Sequence, residues 1–77
     1  MMPLSDSARS FQHGKYRHYK GNEYQTHFIA RQEDTHEEMV VYQDLLDREK
    51  IWCRPLTAFL ETIEVDGKAI PRFQKID

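Results

Sequence analysis

Two short stretches of this chain concentrate the side chains that could do chemistry. Ile51-Trp52-Cys53-Arg54-Pro55 sets a Trp beside an Arg, the pairing that dominates hot spots in protein interfaces. In Lys15–Tyr24, KYRHYKGNEY, the bases Lys15, Arg17 and Lys20 are interleaved with Tyr16, Tyr19 and Tyr24. Tyrosines can stack on nucleic-acid bases while cations hold phosphates, and Arg9 extends this basic run. Each stretch also has a plainer reading. Trp52 could cap the core while Arg54 pairs with Glu61 or a neighbouring carboxylate, and Arg17 and Lys20 could be solvated charges that protect an edge strand. The plainer reading is preferred for both. A pI near 6.0 lies well below that of a nonspecific nucleic-acid binder.

Catalytic and metal constellations are harder to assemble. His13, His18, His27 and His36 lack metal-ligand spacing and have no cysteine partners, whereas structural zinc needs four closely placed N or S ligands. His18 and His27 lie in runs that could pair, so they could meet across a hairpin, which alone would make a weak site. Cys53 as a nucleophile would need an adjacent base and a lowered pKa; at an apolar strand position it reads as inert core. An enzyme would require Tyr16, His18 and Arg54 to converge in a pocket. No Gly-rich phosphate loop and no Ser-His-Asp order is present. The expectation is a noncatalytic protein with no cofactor and no metal.

The elements that must position these residues are short. A chain of 77 residues buries only about 60% of its unfolded surface, enough for one modest core and no deep cleft. Residues 1–12 hold Ser, Asp, Pro and little apolar material, and read as a flexible or loosely docked tail before a single domain over 13–77. From Lys15, Tyr16 and His18 share one face and Arg17 and Tyr19 the other. Gly21-Asn22 reads as a two-residue turn. In the next run Tyr24, Thr26, Phe28 and Ala30 alternate with Gln25, His27, Ile29 and Arg31, the period of a half-buried strand. Thr35–Lys50 is ambiguous: Thr35 with Glu38 resembles a capping box, while Met39–Tyr42 is β-favouring. A short strand ends at Pro55, and Leu56, Phe59, Leu60 and Ile63 suggest a helical turn after it. Asp66-Gly67 between alternating apolar residues predicts a type I′ hairpin. Together these predict a mainly β fold, a small, strongly bent SH3-like barrel of five to six short strands with one short helical (3-10) turn.

Tyr16-Arg17-His18-Tyr19-Lys20-Gly21, Val40-Val41-Tyr42, Trp52-Cys53-Arg54-Pro55-Leu56 with Phe59, and Asp66-Gly67 before Pro71-Arg72-Phe73 follow one another in this order. In this the chain resembles the bacterial family catalogued as domain of unknown function 1653, from about Gly14 to Ile76. The resemblance implies a compact SH3-like barrel and a strand through Met39–Tyr42 followed by a loop. It supplies no activity. The chain departs from the family pattern at Asp44–Lys50, where a helical turn is a further option, and at Cys53, where an aliphatic residue is commoner.

Charge is unevenly spread. Ser7–Asn22 carries Arg9, Lys15, Arg17 and Lys20 with no acid, whereas Arg31–Lys50 carries seven acids against three bases; the two regions are expected to attract each other within the fold. A lone cysteine, the lack of a signal-like apolar run and the lack of a membrane-length segment place the protein in the cytoplasm. The leading expectation is a binding module that recognises a protein, peptide or extended ligand through Tyr19, Tyr42, Trp52 and Arg54, with Arg72 at the rim. The alternative is RNA or single-stranded DNA binding through Arg9, Lys15, Arg17 and Lys20. An open sheet edge would permit a monomer or a weak dimer.

Overall fold

The computed structural model describes residues 3–77. Its fold is mainly β, with seven strands in two antiparallel sheets and two single-turn helices. Helix α1 (Asp6–Arg9) precedes β1 (Lys15–His18), β2 (Glu23–Arg31), β3 (Glu38–Asp44) and β4 (Ile51–Pro55). Helix α2 (Leu56–Phe59), β5 (Thr62–Val65), β6 (Lys68–Pro71) and β7 (Phe73–Lys75) complete the chain. The larger sheet runs β4-β3-β2-β1-β7, and β5 and β6 form a separate hairpin. The ladder ends at β4 and β7 and so does not close into the expected barrel. Strand β1 is interior, between β2 and β7, so Arg17 is not an edge-strand charge.

Turn chemistry explains several of these elements. Asp66 and Gly67 have φ of 51° and 77°, the two positive values that a type I′ turn requires. The first hairpin differs from its expected two-residue turn. The Gly21 N–H donates to the His18 carbonyl at 2.7 Å and the His18 N–H to the Asn22 carbonyl at 2.8 Å, so Tyr19, Lys20 and Gly21 form the loop. Gly21 takes the positive φ of 112°, as the last residue of a three-residue loop commonly does. After Pro55 one α-helical turn forms, closed by Leu60 N–H to the Leu56 carbonyl at 3.0 Å, in place of the expected 3-10 turn.

The alternation expected along β2 breaks in the middle. Thr26 pairs with Tyr42 and Phe28 with Val41, leaving His27 as the extra residue of a β-bulge. A bulge shifts the pleat by one residue, so every later side chain changes face. Phe28 is therefore 57% exposed, while Ile29, expected on the opposite face from Tyr24, packs against the core beside Val40. Thr35 and Glu38 start no helix: Glu38 opens β3. The Asp44–Lys50 loop has no helical turn either. Oδ1 of the buried Asp44 accepts the N–H groups of Leu46 at 2.7 Å and Asp47 at 3.0 Å, the side-chain turn that Asp favours.

The core is aromatic. Phe59 from α2 and Phe73 from β7 stack with ring centroids 4.0 Å apart and planes 4° from parallel. Tyr16 meets Phe59 edge-on at 5.2 Å, and Tyr42 meets both phenylalanines at 5.6 Å. The buried Thr26 ties the strand's start to this core: its hydroxyl accepts the Gly14 N–H at 2.9 Å and donates to the Gly14 carbonyl at 3.3 Å.

Of residues 1–12, Met1 and Met2 lie outside the described residues; Leu4, Ala8 and Phe11 pack at the core. Ser5 caps α1 by accepting the Ala8 N–H at 3.1 Å, and its own N–H and hydroxyl donate to the Glu38 carboxylate at 2.7 and 2.6 Å. Ala8 is buried and Phe11 stacks on Tyr16 at 5.7 Å.

Phe59→Ala removes the hub ring. It is expected to cost about 3–5 kcal/mol, a large share of the roughly 4–12 kcal/mol available to a domain of this size. Urea unfolding should show a midpoint lowered by the equivalent of that loss; a loss below about 1 kcal/mol would contradict this role for the ring.

Candidate functional site

Directly opposed residues on antiparallel strands share a face. Tyr42 opposes Trp52 and Val40 opposes Arg54 across β3 and β4, so all four lie on the core-facing side of the large sheet. Val40 and Tyr42 are covered, but β4 is the last strand, and Trp52 remains 49% exposed. The result is an open groove of about 520 Å³, bounded by Asn22, Tyr24, Asp44 and Lys50 at one end and by Pro55 and Ala58 at the other. Tyr42, Trp52 and Arg54 line it between them.

Arg54 is held without being neutralised. Its Nε donates to the Tyr42 hydroxyl at 3.4 Å, and its guanidinium carbon lies 5.4 Å from the Phe73 ring centroid. Among the described residues no carboxylate lies within ion-pair distance of it. The expected Arg54–Glu61 pair is not formed, because Glu61 takes Arg72 at 3.1 Å instead. Arg72 is thereby tied to the β6–β7 junction; its buried Nε has no hydrogen-bond partner.

The structure brings Tyr42, Trp52 and Arg54 together but leaves Tyr19 outside the groove lining. Tyr19 sits in the first loop against His18, with ring centroids 4.5 Å apart, and under the Lys20 ammonium at 5.7 Å. Trp52 does not cap the core, and Cys53 is exposed rather than buried. Cys53 opposes Val41, which in turn opposes Phe28, so it belongs to the outer face. Sequence reasoning missed Asn22, Tyr24 and Lys50 as groove residues. The Tyr42–Trp52 register depends on the length of the β3–β4 loop, which no local pattern announces.

Two of the four bases of the basic stretch are satisfied internally. Arg17 contacts Glu23 Oε2 through Nε at 3.0 Å and Nη2 at 2.8 Å, and Arg9 pairs with Asp6 at 2.6 Å. Both partners are local, so the expected attraction to the acidic Arg31–Lys50 region is not what engages these two bases. The histidines are dispersed. His27 meets Gln43 at 2.8 Å, His13 meets Thr26 at 3.1 Å and His18 lies against Phe73 at 4.9 Å, so His18 and His27 do not join across the hairpin. Among the described residues no three His, Cys, Asp or Glu side chains group as metal ligands. Tyr16 spends its hydroxyl on the Gln12 carbonyl, in a second hollow beside Phe11 and Leu60, away from Arg54.

His18 reports on the groove's electrostatics. Burial lowers its pKa from the ordinary value, and the charges of Arg54, Arg72 and Lys20 lower it further. Its Nδ1 accepts the Lys20 N–H at 3.2 Å, which assigns the neutral ring's proton to Nε2.

Comparison with known proteins agrees with this architecture. The family model described as "Protein of unknown function (DUF1653)" matches residues 14–75. A crystal structure of a DUF1653 protein from Bordetella bronchiseptica is similar, with a TM-score of 0.81 and 35% identity over 90% of this chain and 91% of that one. The chain thus belongs to the DUF1653 family. No curated protein matches it. No helix among the described residues is long and apolar enough to cross a membrane.

Because the folded pKa of His18 lies below its unfolded value, its neutral form contributes stability above that unfolded value. The contribution is lost as pH falls through the folded pKa. Histidine-resolved NMR titration should show His18 titrating below the ordinary histidine range, and Arg54→Gln should move it upward. An unchanged His18 in that variant would contradict the proximity of the two charges.

Proposed function

We propose that this protein is a noncatalytic binding module of SH3-like architecture. It recognises a protein or extended ligand in the groove formed by Tyr42, Trp52 and Arg54. One observation carries the reading: a Trp left 49% exposed on the core-facing side of its sheet, next to an Arg with no carboxylate partner among the described residues. Neither side chain belongs to the buried core cluster. Trp and Arg are also the residues that anchor interfaces. We place the module in the cytoplasm, as a monomer or a weak dimer, given its single cysteine and the open edges at β4 and β7.

Nucleic-acid binding through Arg9, Lys15, Arg17 and Lys20 has less support. Two of those four bases are already paired, and the chain carries a net charge of −2. Tyr19 and Arg72, the other expected contacts, belong to the first loop and to a Glu61 ion pair rather than to the groove.

The test is selection of random ten-residue peptides on the immobilised protein, followed by chemical-shift mapping with the enriched sequences. Shifts should centre on Trp52, Arg54 and Tyr42. Trp52→Ala and Arg54→Ala should remain folded, each within about 1 kcal/mol of the parent, and lose about tenfold or more in affinity. Unfolding of both variants, or enrichment of no peptide, would overturn the assignment. So would salt-sensitive shifts on Lys15–Lys20 with oligouridylate.

A further inference from the structure

Three features of the groove bear on the chemistry of what it holds. The first is an unused donor set. A guanidinium presents five N–H donors in a planar fork, and Arg54 commits only Nε, to the Tyr42 hydroxyl at 3.4 Å. The Phe73 ring, 5.4 Å below the guanidinium carbon, supports that fork. A supported, unpaired fork matches the two oxygens of a carboxylate.

The second is the sign of the surrounding charge. Lys50 and Arg54 line the groove with one acid, Asp44, whose Oδ1 already accepts two backbone N–H groups; Lys50 is itself paired with Asp47 at 4.0 Å, so Arg54 is the lining cation without a carboxylate partner among the described residues. Lys20 adds positive charge on the His18 side of Arg54, where Arg72 also lies but is paired with Glu61.

The third is an open edge. Strand β4 pairs with β3 alone, and among the described residues Ile51–Arg54 make no backbone hydrogen bond beyond that ladder. Pro55, without an N–H, ends the usable edge. An extended peptide laid along β4 would pair its backbone there, as in β-strand addition, with its side chains reaching the groove.

We propose that the groove is a carboxylate seat for an extended acidic peptide. Arg54, steadied by the Tyr42 hydroxyl, holds an Asp or Glu side chain, Trp52 covers a neighbouring residue, and the β4 edge pairs with the peptide backbone. This narrows the binding reading given above and rests on it. A nucleic acid fits less well: its affinity grows with the number of phosphates neutralised, whereas this groove offers one unpaired guanidinium on a chain of net charge −2.

The experiment compares enriched ten-residue peptides with the same peptides carrying Gln for Glu and Asn for Asp, titrated into the folded full chain. The seat predicts an Asp or Glu fixed at one position, a loss of about tenfold or more on its amide replacement, and a similar loss with Arg54→Gln. Arg54→Lys, which keeps the charge but not the fork, should fall between. Seating the carboxylate should also raise the His18 pKa, because the added anion offsets the cations that lower it. His18 is surrounded by the Tyr19 and Phe73 rings, the Lys20 amide and the charges of Lys20, Arg54 and Arg72. Thermal unfolding of each variant separates loss of binding from loss of fold. Peptides that bind at Trp52 with no carboxylate preference would overturn the seat and leave the binding module standing. Enrichment of no peptide would overturn both. Inorganic phosphate or oligouridylate displacing the peptide where acetate at equal concentration does not would reassign the groove to phosphate and also overturn the proposal.

Discussion

The stack of Phe59 on Phe73 is the contact on which the rest of this structure depends. It joins the helical turn after Pro55 to the last strand, across the β5–β6 hairpin that lies between them in the chain. Around it Tyr16, Tyr42 and Phe11 arrive edge-on at 5.2 to 5.6 Å, the geometry that ring quadrupoles favour. A chain this short cannot build a thick aliphatic core, so a few large rings supply most of the buried area. The buried Thr26 and Asp44 spend their oxygens on backbone N–H groups, which keeps buried polar atoms paired.

That economy accounts for the groove. The hub draws in Tyr42 but stops one strand short of the sheet's end, so Trp52, directly across from Tyr42, is left half uncovered. Arg54 lies over the margin of the hub, near enough to touch Phe73 and the Tyr42 hydroxyl and too far from Glu61 to pair with it. Trp52 and Arg54 thus lie together at one edge. The same aromatic cluster that stabilises the fold orients the charge that the groove presents.

Much of the local structure was legible in the sequence because local chemistry dictates it. Asp66-Gly67 can hardly turn otherwise, Pro55 ends a strand, and Tyr16 and His18 share the inward side of β1. The family resemblance added the strand through Met39–Tyr42, which the residues alone left open between helix and strand. What was not legible depended on register. The bulge at His27 exchanges the faces of Phe28 and Ile29, and no residue type marks it. The exposure of Trp52 and Cys53 follows from β4 being the outermost strand, a property of strand order rather than of composition. Arg54 was legible as a candidate, but its freedom from Glu61 was not, since that depends on where Arg72 arrives from β6.

The single Trp52 is half exposed, with Arg54 as the charge beside it on the same face of β4. Collisional quenching of its fluorescence at constant ionic strength tests this directly, without a ligand. Acrylamide should quench the native protein readily, the iodide-to-caesium quenching ratio should exceed that of free N-acetyltryptophanamide, and Arg54→Gln should lower that ratio while leaving acrylamide quenching unchanged. A blue-shifted emission that none of the quenchers reaches, or a ratio no greater than that of the free indole, would contradict it.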